Sequence, residues 1–139
     1  MILLDTNVLS ELMKPAPAER VVRWLAAQPA TSLYTTSVTQ AEILHGIMLL
    51  PSGRRRSAFE AAADAMFNED FGGRILPFDS DAAHPYARIA ADRRRAGRPI
   101  SHLDAQIAAI ARAAGAAIAT RNVTDYAACS VTVINPWEA

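Results

Sequence analysis

Five short apolar runs punctuate this chain, and helix-like stretches separate each from the next. The runs are Ile2-Leu3-Leu4, Leu33-Tyr34-Thr35-Thr36, Ile75-Leu76-Pro77-Phe78, Ala116 to Thr120 and Val131 to Ile134. Each is too short to be a buried helix, and several are rich in β-branched residues, so they read as strands. Strands separated by helices need crossover connections, which dictate a mainly parallel sheet covered by helices on both faces. The expected fold is therefore α/β with three layers, a central sheet of about five strands flanked by helices. The helices are expected behind Asp5, over Glu19 to Ala27, Thr39 to Leu50, Arg54 to Phe67, Asp79 to Ala96 and Ser101 to Ala114. Gly97 and Gly115 stand where the last two should stop. With 139 residues, 51% of them hydrophobic, and no repeat or linker, residues 1–139 read as one domain.

The first run ends in Asp5-Thr6-Asn7. In an open parallel sheet, ligands bind in the crevice at the C-terminal ends of the strands. A carboxylate at that edge is poorly sited for packing and well sited for chemistry. Two further acids stand at helix starts, Glu42 three residues after Thr39 and Asp104 three residues after Ser101. Each has a plain structural explanation, a capping box in which the acid reaches back to a free backbone N–H. Capping does not explain why all three acids fall on one sheet edge. Asn122 and Asp125, after the fourth strand, fall on that edge too.

Two carboxylates about 6 Å apart repel by roughly 3 kcal/mol at an effective dielectric near 20. Convergence of three would strain a domain whose total stability is about 5–15 kcal/mol. A divalent cation is the natural compensation, and an all-oxygen set favours Mg²⁺ or Mn²⁺ over zinc. A water on such an ion could attack an anionic ester.

Composition narrows the rest. Formal net charge is zero, so the overall field does not point to nucleic acid or membrane. Cys129 is the lone cysteine; no intrachain disulfide is possible, and a reducing, cytoplasmic setting is expected. No run has the length of a membrane span or the form of a signal peptide. Lys14 is the only lysine, which speaks against the phosphotransfer folds that place an Asp after strand one and require a lysine beside the phosphate. A dehalogenase-type phosphatase would also need a second Asp where Asn7 stands.

Four segments taken in order, Ile2-Leu3-Leu4-Asp5-Thr6-Asn7, Thr39-Gln40-Ala41-Glu42, Leu103 to Ala109 and Ala119-Thr120-Arg121-Asn122, resemble the PIN-domain ribonucleases. Within that family the chain resembles the VapC toxins of the FitB-like branch, as do Gly73 to Asp79 and the ending Ile134-Asn135-Pro136-Trp137-Glu138. The resemblance implies a Mg²⁺- or Mn²⁺-dependent endoribonuclease that is the toxin of a type II toxin–antitoxin pair. It implies a cognate antitoxin that blocks the acidic pocket, a homodimer, and contact with DNA only through the antitoxin. By position, Asp5, Glu42 and Asp104 match the family's metal-binding acids. A fourth family acid falls on Asn122, a departure, and Asp125 is expected to supply the missing charge. Thr6, Asn7, Thr120 and Asn122 are expected to orient the acids, and Arg121 to meet a substrate phosphate. The alternative is a catalytically silent PIN-like module that only binds an antitoxin, favoured by Asn122. The runs Arg54-Arg55-Arg56 and Arg93-Arg94-Arg95 read either as solvated helix faces or as a path for RNA. The early segments Val8 to Met13 and Val21 to Leu25 could serve core or subunit interface.

Overall fold

The computed structural model describes residues 1–139. Each expected strand forms, the first two at the expected bounds and the other three shorter: β1 Ile2–Leu4, β2 Leu33–Thr36, β3 Ile75–Leu76, β4 Ala117–Ala119 and β5 Val133–Ile134. All pairings are parallel, in the order β3-β2-β1-β4-β5. The six helices are α1 Thr6–Leu12, α2 Glu19–Ala26, α3 Ser37–Met48, α4 Arg54–Ala65, α5 Ser80–Arg95 and α6 His102–Ala114. A π-helical turn over Met66–Asp70 extends α4, and a 3-10 turn over Val123–Tyr126 follows β4.

The chain builds outward from β1 to β2 and β3, then returns to the other side of β1 for β4 and β5. That reversal makes a switch point at the C-terminal end of β1, where such sheets bind ligands. Register places the ends of β1 and β4 side by side, with Leu4 opposite Ala119. The Asp5 N–H donates to the Ala119 carbonyl at 3.0 Å, and the Thr35 hydroxyl to the Leu4 carbonyl at 3.0 Å.

Side chains of a strand alternate between faces, and the two cores follow that alternation. Leu3 and Ile118 join Ile107, Ile110 and Ile89 beneath α5 and α6. Leu4 and Ala119 join Leu9, Val21, Ile43 and Phe67 beneath α1 to α4. Val8, Leu9 and Val21 are therefore core of this chain, whereas Val22 is 41% exposed. Full burial of a Leu or Ile contributes roughly 2 kcal/mol, so the two cores hold the edge bearing Asp5 in place from both sides.

One boundary differs from the sequence expectation in a way that matters. The third helix begins at Ser37, not Thr39, because Thr36 is its N-cap: the Thr36 hydroxyl accepts from the Thr39 N–H at 3.0 Å. Thr36 ends β2 and opens α3 at once, with no loop between them.

Candidate active site

The capping box expected at Thr39–Glu42 does not form. Thr36 does the capping, and Glu42 lies in the second turn of α3, half-buried, accepting from the Thr6 hydroxyl at 3.0 Å. Thr36→Ala should therefore lower stability by about 1 kcal/mol. Glu42→Ala should leave the metal-free protein no less stable; thermal melts in EDTA check both. The box at Ser101 forms by half. The Ser101 hydroxyl accepts from the Asp104 N–H at 3.2 Å, but the Asp104 carboxylate turns to the Tyr126 hydroxyl, 3.3 Å from Oδ1.

Asp5 is the centre of the network. Extended backbone at the start of α1 makes it the N-cap, and its Oδ1 accepts from the Thr6 N–H at 2.8 Å. Its Oδ2 accepts from the Thr120 hydroxyl at 2.8 Å and the Tyr126 hydroxyl at 3.2 Å. Thr120 Oγ1 in turn accepts from Asn7 Nδ2 at 3.0 Å and from the Asn122 N–H at 3.1 Å. Asn7 Oδ1 accepts from the Arg121 N–H at 3.0 Å. Thr6, Asn7 and Thr120 thus tie the ends of β1 and β4 together around one buried carboxylate.

Asp5, Glu42 and Asp104, from three separate elements, line one cleft of about 450 Å³. Burial pushes the Asp5 carboxyl above its ordinary range, with the neighbouring Asp104 adding to it, against the hydrogen bonds from Thr120 and Thr6. Burial likewise raises Glu42, helped by Asp5 and Asp104 and opposed by the Thr6 hydroxyl. Burial and the two aspartates hold the Tyr126 phenol protonated. The site disfavours its own negative charge and so favours a cation.

No group of three Asp, Glu, His or Cys side chains is placed to hold one ion between them. The donors are all oxygen and do not close a cage, which suits an ion that keeps much of its water shell, as Mg²⁺ does.

Residues 2–124 match the PIN domain family. The chain belongs to that family. Among its relatives, the VapC ribonuclease Y4jK of Sinorhizobium fredii is 41% identical over 138 residues, 99% of each chain. Toxin FitB of Neisseria gonorrhoeae is 39% identical over 137 residues, again 99% of each. The fold superposes on the structure of FitAB bound to an IR36 DNA fragment with a TM-score of 0.92, covering 99% of this chain and 96% of that one, at 39% identity.

Beyond the acids, this PIN domain's cleft departs from sequence expectation. Asn122 lines it and Asp125 does not. Asp125 is exposed in the 3-10 turn, and the next residue, Tyr126, is the one that turns inward. A four-residue 3-10 turn cannot aim two successive side chains the same way. Arg121 is exposed at the cleft, its guanidinium 5.0 Å over the Trp137 ring. Glu11 also reaches the cleft, but its carboxylate is held by Lys14 at 2.9 Å and the Ala18 N–H at 2.9 Å, which keep it ionised below its ordinary range.

The arginine runs divide. Arg54 and Arg55 are exposed, and Arg56 pairs with Glu60 at 2.9 Å. Arg93, inside the second run, is buried, neither a solvated face nor an open path for RNA. Tyr126 was missed from sequence, since a Tyr closing a polar turn carries no periodic signal. Arg93 did carry one: it lies four residues after Ile89, on the helix face that also buries Ala82.

Proposed function

We propose that the protein cuts RNA by metal-dependent hydrolysis of phosphodiester bonds, as the toxin of a type II toxin–antitoxin pair. The observation that carries this reading is the convergence of Asp5, Glu42 and Asp104 on one cleft whose surroundings disfavour their charge. Asp5, Glu42 and Asp104 would hold Mg²⁺ or Mn²⁺ partly through the ion's own waters, since the three side chains do not themselves close on one point, with the amide of Asn122 as a neutral oxygen nearby. When bound, the ion supplies an activated water nucleophile and neutralises the anionic ester.

The chain's own groups do the rest. Thr6, Thr120 and Tyr126 orient the carboxylates, and Asn7 fixes Thr120. Arg121, stiffened by Trp137, offers its guanidinium to a substrate phosphate. Single-stranded or looped RNA fits an open cleft better than a rigid duplex. Asp125 stands outside this arrangement.

The antitoxin acts by covering the cleft, where a basic side chain would find three carboxylates. Its relative FitAB is bound to DNA, and contact with DNA through the antitoxin is the corresponding expectation here. The working form is a cytoplasmic homodimer. No helix of this chain is long and apolar enough to cross a membrane. The neutral Asn122 in the cleft favours one other reading, a silent module that binds the antitoxin without cutting.

Incubation of the purified chain with single-stranded RNA and Mn²⁺ separates the two. Internal cleavage that stops in EDTA, and falls on the order of a hundredfold or more in Asp104→Asn, is the expected result. RNA left intact at every Mn²⁺ and Mg²⁺ concentration would leave only the silent module.

A further inference from the structure

Tyr126 is 1% exposed and Arg93 is 7% exposed, and neither is needed merely to fill space. A phenylalanine would occupy the Tyr126 ring position. A buried guanidinium costs more than an apolar side chain unless every donor is engaged. Arg93 makes no ion pair. Its Nη1 donates to the Asp125 carbonyl at 2.9 Å and the Ala127 carbonyl at 3.0 Å, and its Nε to the Arg98 carbonyl at 2.7 Å. One side chain thus grips the backbone immediately before and immediately after Tyr126.

The tyrosine hydroxyl then stands between two carboxylates, 3.2 Å from Asp5 Oδ2 and 3.3 Å from Asp104 Oδ1. Having one proton, it can donate to only one of them at a time. Asp5 has other donors, Thr6 and Thr120. Asp104 has none: Tyr126 is the sole side chain or backbone group that meets its carboxylate. On Asp5, Thr6 and Thr120 occupy two of some four lone-pair directions, and whichever carboxylate the hydroxyl serves gives up one more, so the hydroxyl also decides which directions a cation can use.

We propose that the Tyr126 hydroxyl is a positioning residue that sets the Asp5–Asp104 pair for a divalent cation, and that Arg93 acts through it by clamping the loop on both sides. This rests on the metal-binding reading above. Groups that orient metal ligands from behind typically change affinity by about 10–100-fold when removed.

The test is Mn²⁺ binding by calorimetry, beside melts in EDTA, for the wild-type chain, Tyr126→Phe, Arg93→Lys and the double variant. Tyr126→Phe should weaken Mn²⁺ binding on the order of tenfold while the metal-free protein stays folded. Arg93→Lys keeps the charge but loses the fork, so it should weaken binding in the same direction. The double variant should be little worse than Tyr126→Phe alone, because the two substitutions interrupt one pathway. Wild-type affinity in Tyr126→Phe would overturn the positioning role and leave the metal site standing. Additive losses, or an unfolded Arg93→Lys, would assign Arg93 to the scaffold. Failure of the wild-type chain itself to bind Mn²⁺ would remove both the proposal and the reading beneath it.

Discussion

Asp5→Asn should abolish RNA cleavage and, in EDTA, raise the melting temperature. The two effects have one cause. Asp5 is 5% exposed beside Asp104, and burial lifts its carboxyl above the ordinary value of 3.8. The native state therefore binds that proton more tightly than the unfolded chain does. For such a group, stability is fully present below the unfolded value and is lost as pH rises through the raised native one. Glu42, lifted above 4.5 by burial, behaves in the same way. A carboxylate charge at either position costs the metal-free fold stability. An amide at position 5 can still accept from the Thr6 N–H, and the Tyr126 hydroxyl can rotate to accept from its nitrogen; Thr120 Oγ1, already accepting from Asn7 and Asn122, cannot, so the gain is what relief of charge leaves after that one lost bond. The gain should be a few degrees, a difference of about 1 kcal/mol being worth roughly 4 °C in a chain of this size. It should shrink as the pH falls through the raised native value of Asp5 and be gone below the unfolded value of 3.8, and saturating Mn²⁺ should reverse it by stabilising only the wild type. A lower melting temperature for Asp5→Asn in EDTA at pH 7 would show that hydrogen bonding at this position outweighs charge.

Production of the chain alone should arrest bacterial growth, and production of Asp104→Asn should not. A nuclease that cuts cellular RNA needs few copies, so the effect is close to all-or-none. Co-production of a cognate antitoxin should restore growth and yield a complex that survives purification. Its binding should weaken when Glu42 and Asp104 are both neutralised, since a basic group seated in the cleft loses its partners. Growth restored without any isolable complex would exclude occlusion of the cleft as the means of control.

Strand order and helix order were readable because the physics that sets them is local. Apolar runs of three to five residues between helical stretches leave little alternative to a parallel sheet, and Asp5 follows from where the first run stops. Glu42 was singled out for its place on the shared sheet edge, and it is the rival explanation, a capping box, that fails. A Thr-x-x-Glu pattern suggests capping, yet Thr36, three residues before Thr39, holds that place. The spacing alone cannot say which of two threonines is the cap, because a strand that runs straight into a helix leaves no loop to mark the boundary. Asp125 was expected in the cleft and Tyr126 turns inward instead, because the inward side of a short 3-10 turn depends on what holds it, and here that is Arg93, 32 residues earlier. Polarity suggested that the Arg93 run faces solvent, while the spacing to Ile89 and Ala82 pointed to the buried face of α5. Where those two signals disagree, the periodicity was the better guide.

The strand made first is the middle of the sheet. The Asp5 carboxylate meets Thr120 across 115 residues and Tyr126 across 121, and β1 waits for β4 on one of its two sides. Contacts of such long range form late, after the chain entropy between them has been overcome. During synthesis, then, the acids exist long before the pocket does. A chain still being translated carries Asp5 and Glu42 on a half-built sheet with an open edge, and cannot gather them with Asp104 until the turn that bears Tyr126 has left the ribosome. The cleft therefore cannot assemble around RNA until the segment that bears Tyr126 is free to fold against β1.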